Sequence, residues 1–334
     1  MNRLQEQPLI GESPVFLEVL ERVSRVAQLN RPVLVVGERG TGKELIAARI
    51  HYLSPRWDRP FIKLNCAALA ESLLETELFG HEAGSFTGAT RRRLGRFELA
   101  NEGSLFLDEL ATTSDRVQEK VLRVIEYGEL ERVGGNDTIL TDVRIIGATN
   151  EDLPALAEQG KFRADLLDRL AFDVITLPPL RERTEDILPL ATHFAVKMSG
   201  ELGLELFEGF SELARDLLMD YAWPGNVREL KNVVERAVYT SLGNDEPISE
   251  IIFDPFESPW RPGGDHTDPS KSTTRTAPTE AYDFKEHIQN TEIELLQAAL
   301  KQCRFNQKKT AEFLGMTYHQ LRGYLRKYDL TDDP

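Results

Sequence analysis

The sequence predicts an α/β fold: a doubly wound parallel sheet, then an all-helical subdomain, then a C-terminal helix-turn-helix domain. Three observations predict it. Five short apolar runs of strand length alternate with amphipathic stretches in the first part of the chain. Strand signals stop at Glu185, and only helical periodicity continues to about Leu242. Beyond a segment rich in Pro, Gly, Ser and Thr, a short helical unit closes the chain.

The five runs are Pro32–Gly37, Pro60–Cys66, Ser104–Asp108, Val143–Thr149 and Asp173–Leu177. They are continuously apolar, as strands covered on both faces must be. Between them, Val117–Tyr127 sets Val117, Val121, Leu122, Val124 and Ile125 largely on one helical face. Such alternation belongs to a parallel sheet flanked by helices. In the helical subdomain the apolar stripes are Ile187, Leu190 and Phe194, then Leu213, Leu217 and Leu218, then Leu230, Val233, Val234 and Ala237. Glu257–Asp283 has no apolar period and cannot bury enough surface to offset ordering, so it reads as a flexible linker. The boundaries follow: α/β part 8–184, helical part 185–255, linker 256–284 and C-terminal unit 285–330.

A chain of 334 residues, 41% hydrophobic and 28% charged, has an ordinary globular balance and room for two or so domains. No run approaches the roughly 18–20 apolar residues that span a bilayer. The first residues, MNRLQEQPLIGESP, lack the apolar core of a secretory signal. Two cysteines far apart, Cys66 and Cys303, read as free buried thiols. The expectation is a cytoplasmic protein with no direct membrane insertion. A net charge of −15 excludes a surface that binds nucleic acid everywhere, yet Lys285–Lys327 carries eight Lys/Arg against four Asp/Glu. A basic module joined to an acidic body implies division of labour.

Gly37, Glu38, Arg39, Gly40, Thr41, Gly42 and Lys43 fit the GxxxxGK core of a P-loop, directly after an apolar strand and before a helix. Glycines let backbone N–H groups approach phosphates, and Lys43 would meet the β/γ oxygens. Glu44 stands where a Ser/Thr hydroxyl usually binds Mg²⁺. In GSLFLDE (103–109) a strand ends in two acids at the sheet's C-terminal edge. Asp108 would hold Mg²⁺ through water and Glu109 would polarise the attacking water, which makes the chemistry ATP hydrolysis. The bland reading of the glycine loop is a mere strand-to-helix turn, which its place between strand and helix disfavours; a strand ending in two acids is weak alone, since acids often begin a surface loop, and gains its meaning from the P-loop beside it.

At the C-terminal end Ile293, Leu296 and Leu300 mark one helix, and a second runs from about Gln307 to Leu314 after Asn306. Gly315-Met316 turns the chain, and Thr317-x-x-Gln320 is a capping box opening a third helix with Leu321 and Leu325 inward. The exposed face of that helix would hold Tyr318, His319, Gln320, Arg322 and Arg326. Gln320 suits adenine and Arg322 guanine, with Lys308, Lys309 and Lys327 on phosphates. The bland alternative is a basic docking unit without DNA.

Seven ordered motifs carry a resemblance: GERGTGKE (37–44), ELFGHEAGSFTGA (77–89), GSLFLDEL (103–110), GATN (147–150), FRADLLDRL (162–170), LPPLRER (177–183) and WPGNVREL (223–230). Together they resemble the AAA+ domain of sigma-54-dependent bacterial enhancer-binding proteins over about residues 8 to 255, and the C-terminal unit resembles a Fis-like helix-turn-helix. The resemblance implies a homo-hexameric ring that binds enhancer DNA and remodels RNA polymerase carrying sigma-54. It implies that Ile10 and Gly11 belong to the ATP site, that Asn65 restrains Glu109, and that Asn150 senses the γ-phosphate. It also implies that Arg163 and Arg169 reach the neighbour's ATP, and that Arg228 is the sensor of the helical lid. Ion pairing of the two arginines with Asp165 or Asp168 is the alternative that spacing alone favours. Gly84, Ser85, Phe86, Thr87, Gly88 and Ala89 would form the sigma-contact loop over the pore, with Ser85 where Ala is common. A second Gly-rich pore loop is expected near Arg132–Asp137.

Within the family the chain looks closest to the phage-shock operon activators, on YLSPRW (52–57), EYGELERVGG (126–135) and the stretches around Asn306–Lys309 and Thr317–Gln320. That likeness implies inhibition in trans by phage-shock protein A, the ATPase motifs starting almost at once with no preceding regulatory domain. Trp57, in a polar segment, is the candidate inhibitor contact, since exposed Trp is a favoured interface anchor. Two other readings remain open: a DNA-binding regulator without sigma-54 contact, and a different AAA+ machine.

Overall fold

The five apolar runs pair into one sheet. In the computed structural model they are β1 (Val33–Val36), β2 (Phe61–Asn65), β3 (Ser104–Asp108), β6 (Arg144–Thr149) and β7 (Val174–Thr176), and all neighbours are parallel in the order β2-β3-β6-β1-β7. The structure describes residues 8–86, 89–204, 206–242, 246–256, 289, 292–293, 295–297, 299–300 and 307–328. It divides into two compact units, Met1–Phe256 and Glu257–Pro334. The segment read as a linker, Cys303 and Asn306 lie outside the described residues, as do Thr87 and Gly88.

Alternate residues of each strand feed two separate cores. Val33, Val35, Phe106, Ile146 and Ala148 pack with Phe16, Val19 and Val23 of α1 (Pro14–Ala27) and with Ile46 and Ile50 of α2 (Lys43–Tyr52). Leu34, Leu105, Leu107 and Ile145 face the other way, against Val117, Val121 and Leu122 of α5 (Asp115–Tyr127) and against α3 (Glu71–Phe79). Each fully buried Leu, Ile or Phe contributes about 1.5–3 kcal/mol, so the sheet is secured from both sides. α1 starts where the sequence says it can: the Ser13 hydroxyl accepts the Phe16 N–H and Pro14 takes the first helical position.

β6 begins on a buried guanidinium. Arg144 is 3% exposed and donates to the carbonyls of Val26 (2.8 Å) and Ala27 (2.8 Å), the end of α1, and of Arg31 (3.1 Å) in the turn beyond it. It satisfies orphan carbonyls at a helix C-terminus, where a cation is favoured. Burial pushes its pKa down to about 10. Arg144→Met is expected to destabilise the ATPase unit by about 2–4 kcal/mol through those stranded carbonyls, read as a lowered urea midpoint.

His51, near the end of α2, is wholly buried, stacked on Phe61 with ring centroids 4.7 Å apart, and its Nδ1 lies 3.0 Å from Ser104 Oγ. Burial pushes its pKa from 6.5 down to about 4. Between those values the unfolded chain binds a proton that the folded chain refuses, so stability is complete above about pH 6.5 and falls as pH drops towards 4. Denaturation at pH 5 against pH 7 should show a loss of about 1–2 kcal/mol that His51→Gln abolishes.

A hairpin of β4 (Glu129–Glu131) and β5 (Thr138–Leu140) follows α5, where no strand was expected. Its turn contains the Gly-rich stretch expected as a second pore loop. The helical lid is built from α8 (Ile187–Glu201), α9 (Glu212–Asp220) and α10 (Asn226–Thr240), and Leu180 already belongs to its core. One stripe is corrected. Leu213 and Leu217 are 63% and 38% exposed, because α9 turns Ala214 and Leu218 inward, one residue round from the predicted face.

In the second unit Leu296, Leu300, Ala311, Leu321 and Leu325 form a small core. The helices Gln307–Phe313 and Tyr318–Lys327 flank Gly315, whose φ is +64°, and the capping box at Thr317 and Gln320 is formed.

Candidate functional site

Strand order places the chemistry. β1 lies between β6 and β7, so the loop after β1 opens beside the ends of β6 and β3, the crevice where parallel sheets bind ligands. A cavity of about 550 Å³ lies there, lined by Arg39–Leu45, Asn65, Asp108 and Glu109 from the sheet side. The N-terminal segment adds Pro8, Leu9 and Ile10, and the lid adds Leu190, Phe194, Val227 and Arg228. One end is polar and anion-seeking, the other apolar, as a base joined to phosphates requires.

The P-loop holds its shape through Gly40 and Gly42, at φ +80° and +101°. A Cβ on Gly40 would sit 2.3 Å from the carbonyl oxygen of Gly225 in the lid, so only glycine permits this approach. Lys43 is nearly buried and its Nζ donates to the Gly37 and Glu38 carbonyls at 2.8 and 3.2 Å, within the loop itself. Burial lowers its pKa, opposed by Glu109 and Asp108 and assisted by Arg228 and Arg39.

Of Glu38 and Glu44, both expected at the ATP, Glu44 lines the cavity and Glu38 does not, and both carboxylates hold protein cations. Glu44 pairs with Lys63 at 3.0 Å. Glu38 takes Arg181 bidentately (2.6 and 2.9 Å) and the amide of Asn226 (3.0 Å), and those partners, Arg181 first, hold its carboxyl down to about 2. Asn226, wholly buried at φ +53°, also donates to Arg39 O and accepts from Leu180 N–H. Below them Arg183 donates to Thr41 O and lies over the Phe16 ring, and Asp186 accepts the Glu12 and Ser13 N–H groups and the Ser13 hydroxyl. Gly11 is required there, since a Cβ would meet Phe16 at 2.3 Å. Arg181 and Arg183 lie in LPPLRER, Asn226 in WPGNVREL and Asp186 just past the first motif, and no local pattern assigns any of them a role. Their partners lie more than a hundred residues away, and the polar residues of a helical segment ordinarily face solvent. Asn226→Ala releases the Glu38 carboxylate from the lid amide and leaves the buried Leu180 N–H without its acceptor; we expect it to raise the ATP Kd at least about fivefold, measured by titration calorimetry.

The carboxylate pair is split between two amides, and one expected partnership is corrected. Asn65 donates to Asp108 Oδ2 at 3.1 Å, not to Glu109, because β2 runs in register with β3 and sets Asn65 beside Asp108. The Asn65 carbonyl oxygen meanwhile accepts the Ala67 and Ala68 N–H groups, which fixes its rotamer. The side-chain amide of Asn150, just past β6, lies 2.7 Å from Glu109 Oε2 and 3.3 Å from Oε1, and because a carboxylate only accepts, the amide nitrogen is assigned to that side as donor. Glu109 itself sits at φ +53°, an uncommon conformation for a side-chain-bearing residue that turns its carboxylate off the strand line.

Arg163 and Arg169 do not line the cavity of their own chain. Arg163 pairs with Asp165 (2.7 Å), and Arg169, 60% exposed, with Glu126 (2.7 Å) rather than Asp168. Trp57 is 63% exposed on a turn fixed by Arg56, which grips Asp142 through two 2.8 Å bonds.

The Gly84–Ala89 loop is closed at its base by Gly84 N–H to Ala89 O at 2.7 Å. Phe86 is 47% exposed and touches His81 edge-on. The Ser85 hydroxyl donates to Glu82 O at 2.8 Å, and Ser85 packs on Gly134 of the β4–β5 turn, where a Cβ would meet it at 2.5 Å. Both pore-loop candidates therefore touch. Arg132, 9% exposed, ties them by donating to Glu82 (2.8 Å) and Glu98 (3.0 Å).

Residues 9–176 match the Sigma-54 interaction domain family, 181–253 the AAA+ ATPase lid domain, and 288–328 the Fis family of bacterial regulatory proteins. The chain belongs to the sigma-54-dependent AAA+ activators. This activator is 59% identical over 96% of its length to the Psp operon transcriptional activator of Escherichia coli K12, covering 98% of that protein. It is 46% identical over 95% of its length to the Nif-specific regulatory protein of Azotobacter vinelandii, covering 58% of that one. NtrX of Brucella abortus, solved with ADP, superposes at TM-score 0.69 with 32% identity, over 98% of this chain and 71% of NtrX. NtrX has also been solved with ATP, at TM-score 0.69 and 31% identity. The activator is accordingly an ATPase and carries a DNA-binding helix-turn-helix unit. No helix among the described residues is long and apolar enough to cross a membrane.

In that unit His319, Arg322 and Arg326 are exposed, as are Lys308 and Lys309. Gln320 is compromised as a base reader. Its Oε1 accepts the Thr317 N–H and hydroxyl at 2.9 Å, so the cap occupies half of the pair that adenine needs. Tyr318 is half-buried with its hydroxyl on Gln307, and Lys327 is drawn to Glu292.

Proposed function

We infer that this protein is an activator of the phage-shock operon type, cytoplasmic and nucleoid-associated, which binds enhancer DNA and, as a homo-hexamer, opens sigma-54 promoters at the expense of ATP. The observation that carries the reading is the conjunction in one chain of a Glu109–Asn150 pair beside a P-loop and an exposed Phe86 on a loop braced against a second loop.

Glu109 orients and deprotonates the attacking water; Asn150 holds its carboxylate until the γ-phosphate competes for the amide. Lys43 leaves the Gly37 and Glu38 carbonyls for the phosphates, and Arg228 approaches from the lid. The donor chemistry of Asp108, a carboxylate on the cavity wall, fits Mg²⁺ held through water. That ion neutralises phosphate charge when bound. Arg163 and Arg169, absent from their own cavity, serve the neighbour's. Arg132 couples both pore loops, so a displacement of one carries the other, and with it Phe86 and Thr87, against the sigma factor.

Arg322 and Arg326 supply base and backbone contacts to the enhancer, with His319, Gln320, Tyr318, Lys308 and Lys309 on the same unit. Trp57, rigidly exposed, is the contact for the trans inhibitor, phage-shock protein A. The test is promoter opening with purified sigma-54 polymerase, with ATP or a non-hydrolysable analogue. Opening with ATP alone supports the reading; hydrolysis without opening defeats it.

A further inference from the structure

We propose that Arg91 and Arg92 form a second, sequence-independent nucleic-acid contact, gripping the phosphodiester backbone of promoter DNA at the exit of the Gly84–Ala89 loop. The inference deepens the activator reading and rests on it for which DNA is met.

The stalk that carries these arginines is fixed at both ends. Gly84 N–H bonds Ala89 O on one side, and Arg93 exchanges both backbone hydrogen bonds with His81 at 3.0 Å on the other. Arg91 and Arg92 lie between, exposed, and among the described residues neither has a hydrogen bond or an ion pair. The carboxylates at the base of the stalk are already taken. Glu77 holds Arg93 at 2.7 Å and Arg96 at 2.8 Å, and Glu82 and Glu98 both hold Arg132. Two guanidinium groups are thus left uncompensated on a chain whose net charge is −15.

A cationic island on an acidic body attracts a polyanion while the remaining surface repels it, which focuses contact on one point. Guanidinium is planar, permanently charged and matched to phosphate oxygens. Adjacent residues on a fixed stalk can reach successive phosphates of one strand without reading any base. Phe86, the apolar tip of the same loop, is suited to a protein partner, so tip and stalk divide protein from nucleic acid.

The experiment is fluorescence anisotropy of the full chain with a promoter duplex lacking the enhancer, across a salt series, with a non-hydrolysable ATP analogue and no sigma factor. Arg91→Ala/Arg92→Ala is compared with Arg91→Lys/Arg92→Lys. The alanine pair should bind about tenfold more weakly at low salt and reduce the log K against log salt slope by about 1.8, at roughly 0.9 per phosphate. The lysine pair should retain most of both, and ATP hydrolysis, which shows the fold intact, should be unchanged in each. Wild-type affinity and slope in the alanine pair would overturn the proposal. So would a loss confined to capture of free sigma-54, which would assign the patch to an acidic protein surface. Since no sigma factor is present in the duplex assay, failure of wild-type promoter opening would sink the activator reading without touching this comparison.

Discussion

Glu109→Gln is expected to cut ATP turnover by about 10²–10⁴-fold while ATP still binds, because it removes the base and keeps the shape. The substitution is close to isosteric, and an amide can still occupy the φ +53° position beside Asn150. Only the capacity to accept a proton from water is lost. The cavity keeps Lys43, Asp108, Arg228 and its apolar wall, so the Kd measured by calorimetry should stay within about threefold of wild type. Steady-state phosphate release is the second measurement. Turnover within about threefold of wild type would mean that water is activated by another group, and the assignment of Glu109 would fall. Asn65→Ala supplies a contrast: Asn65 touches Asp108 and caps its own turn, so its loss should change Mg²⁺ dependence more than the water-activating step.

Arg169→Ala should lose about 10³-fold or more in turnover, although its guanidinium lines no part of its own chain's cavity. The decisive experiment is mixing. Arg169→Ala protomers keep Glu109 but present no arginine; Glu109→Gln protomers present the arginine but cannot activate water. Randomly assorted rings would restore about one interface in four, so two inactive proteins combined should regain activity. Absence of rescue, with oligomers shown by light scattering to have formed, would assign Arg169 to its 2.7 Å pair with Glu126 as a surface ion pair. Such an exposed pair is worth at most about 1 kcal/mol, so the variant would remain folded in either case.

Much of the site was legible because it is local. A P-loop needs its glycines and lysine within one turn after a strand, and the two carboxylates need only a strand end. The amphipathic capping box at Thr317 and Gln320 could likewise be read from four residues. What spacing could not say is which amide meets which carboxylate. Asn65 belongs to Asp108 and Asn150 to Glu109 because of the register of β2 on β3 and the insertion of β6 between β3 and β1. The face of α9 was misjudged for a related reason: Ala214 is small enough to let the helix approach the lid core, and period alone does not weigh size.

The sequence by itself determined the five strands of the main sheet and the helical part after them, the nucleotide chemistry and the family, since those depend on short apolar periods and on residues adjacent in the chain. The tertiary structure alone decided how the lid is locked to the P-loop through Glu38, Arg181 and Asn226, how Ser85 seats on Gly134, and which arginines are left without a carboxylate. The physical reason is pairing. A charged or polar side chain is committed by the partner that folding brings to it, and those partners lie up to 188 residues away along the chain.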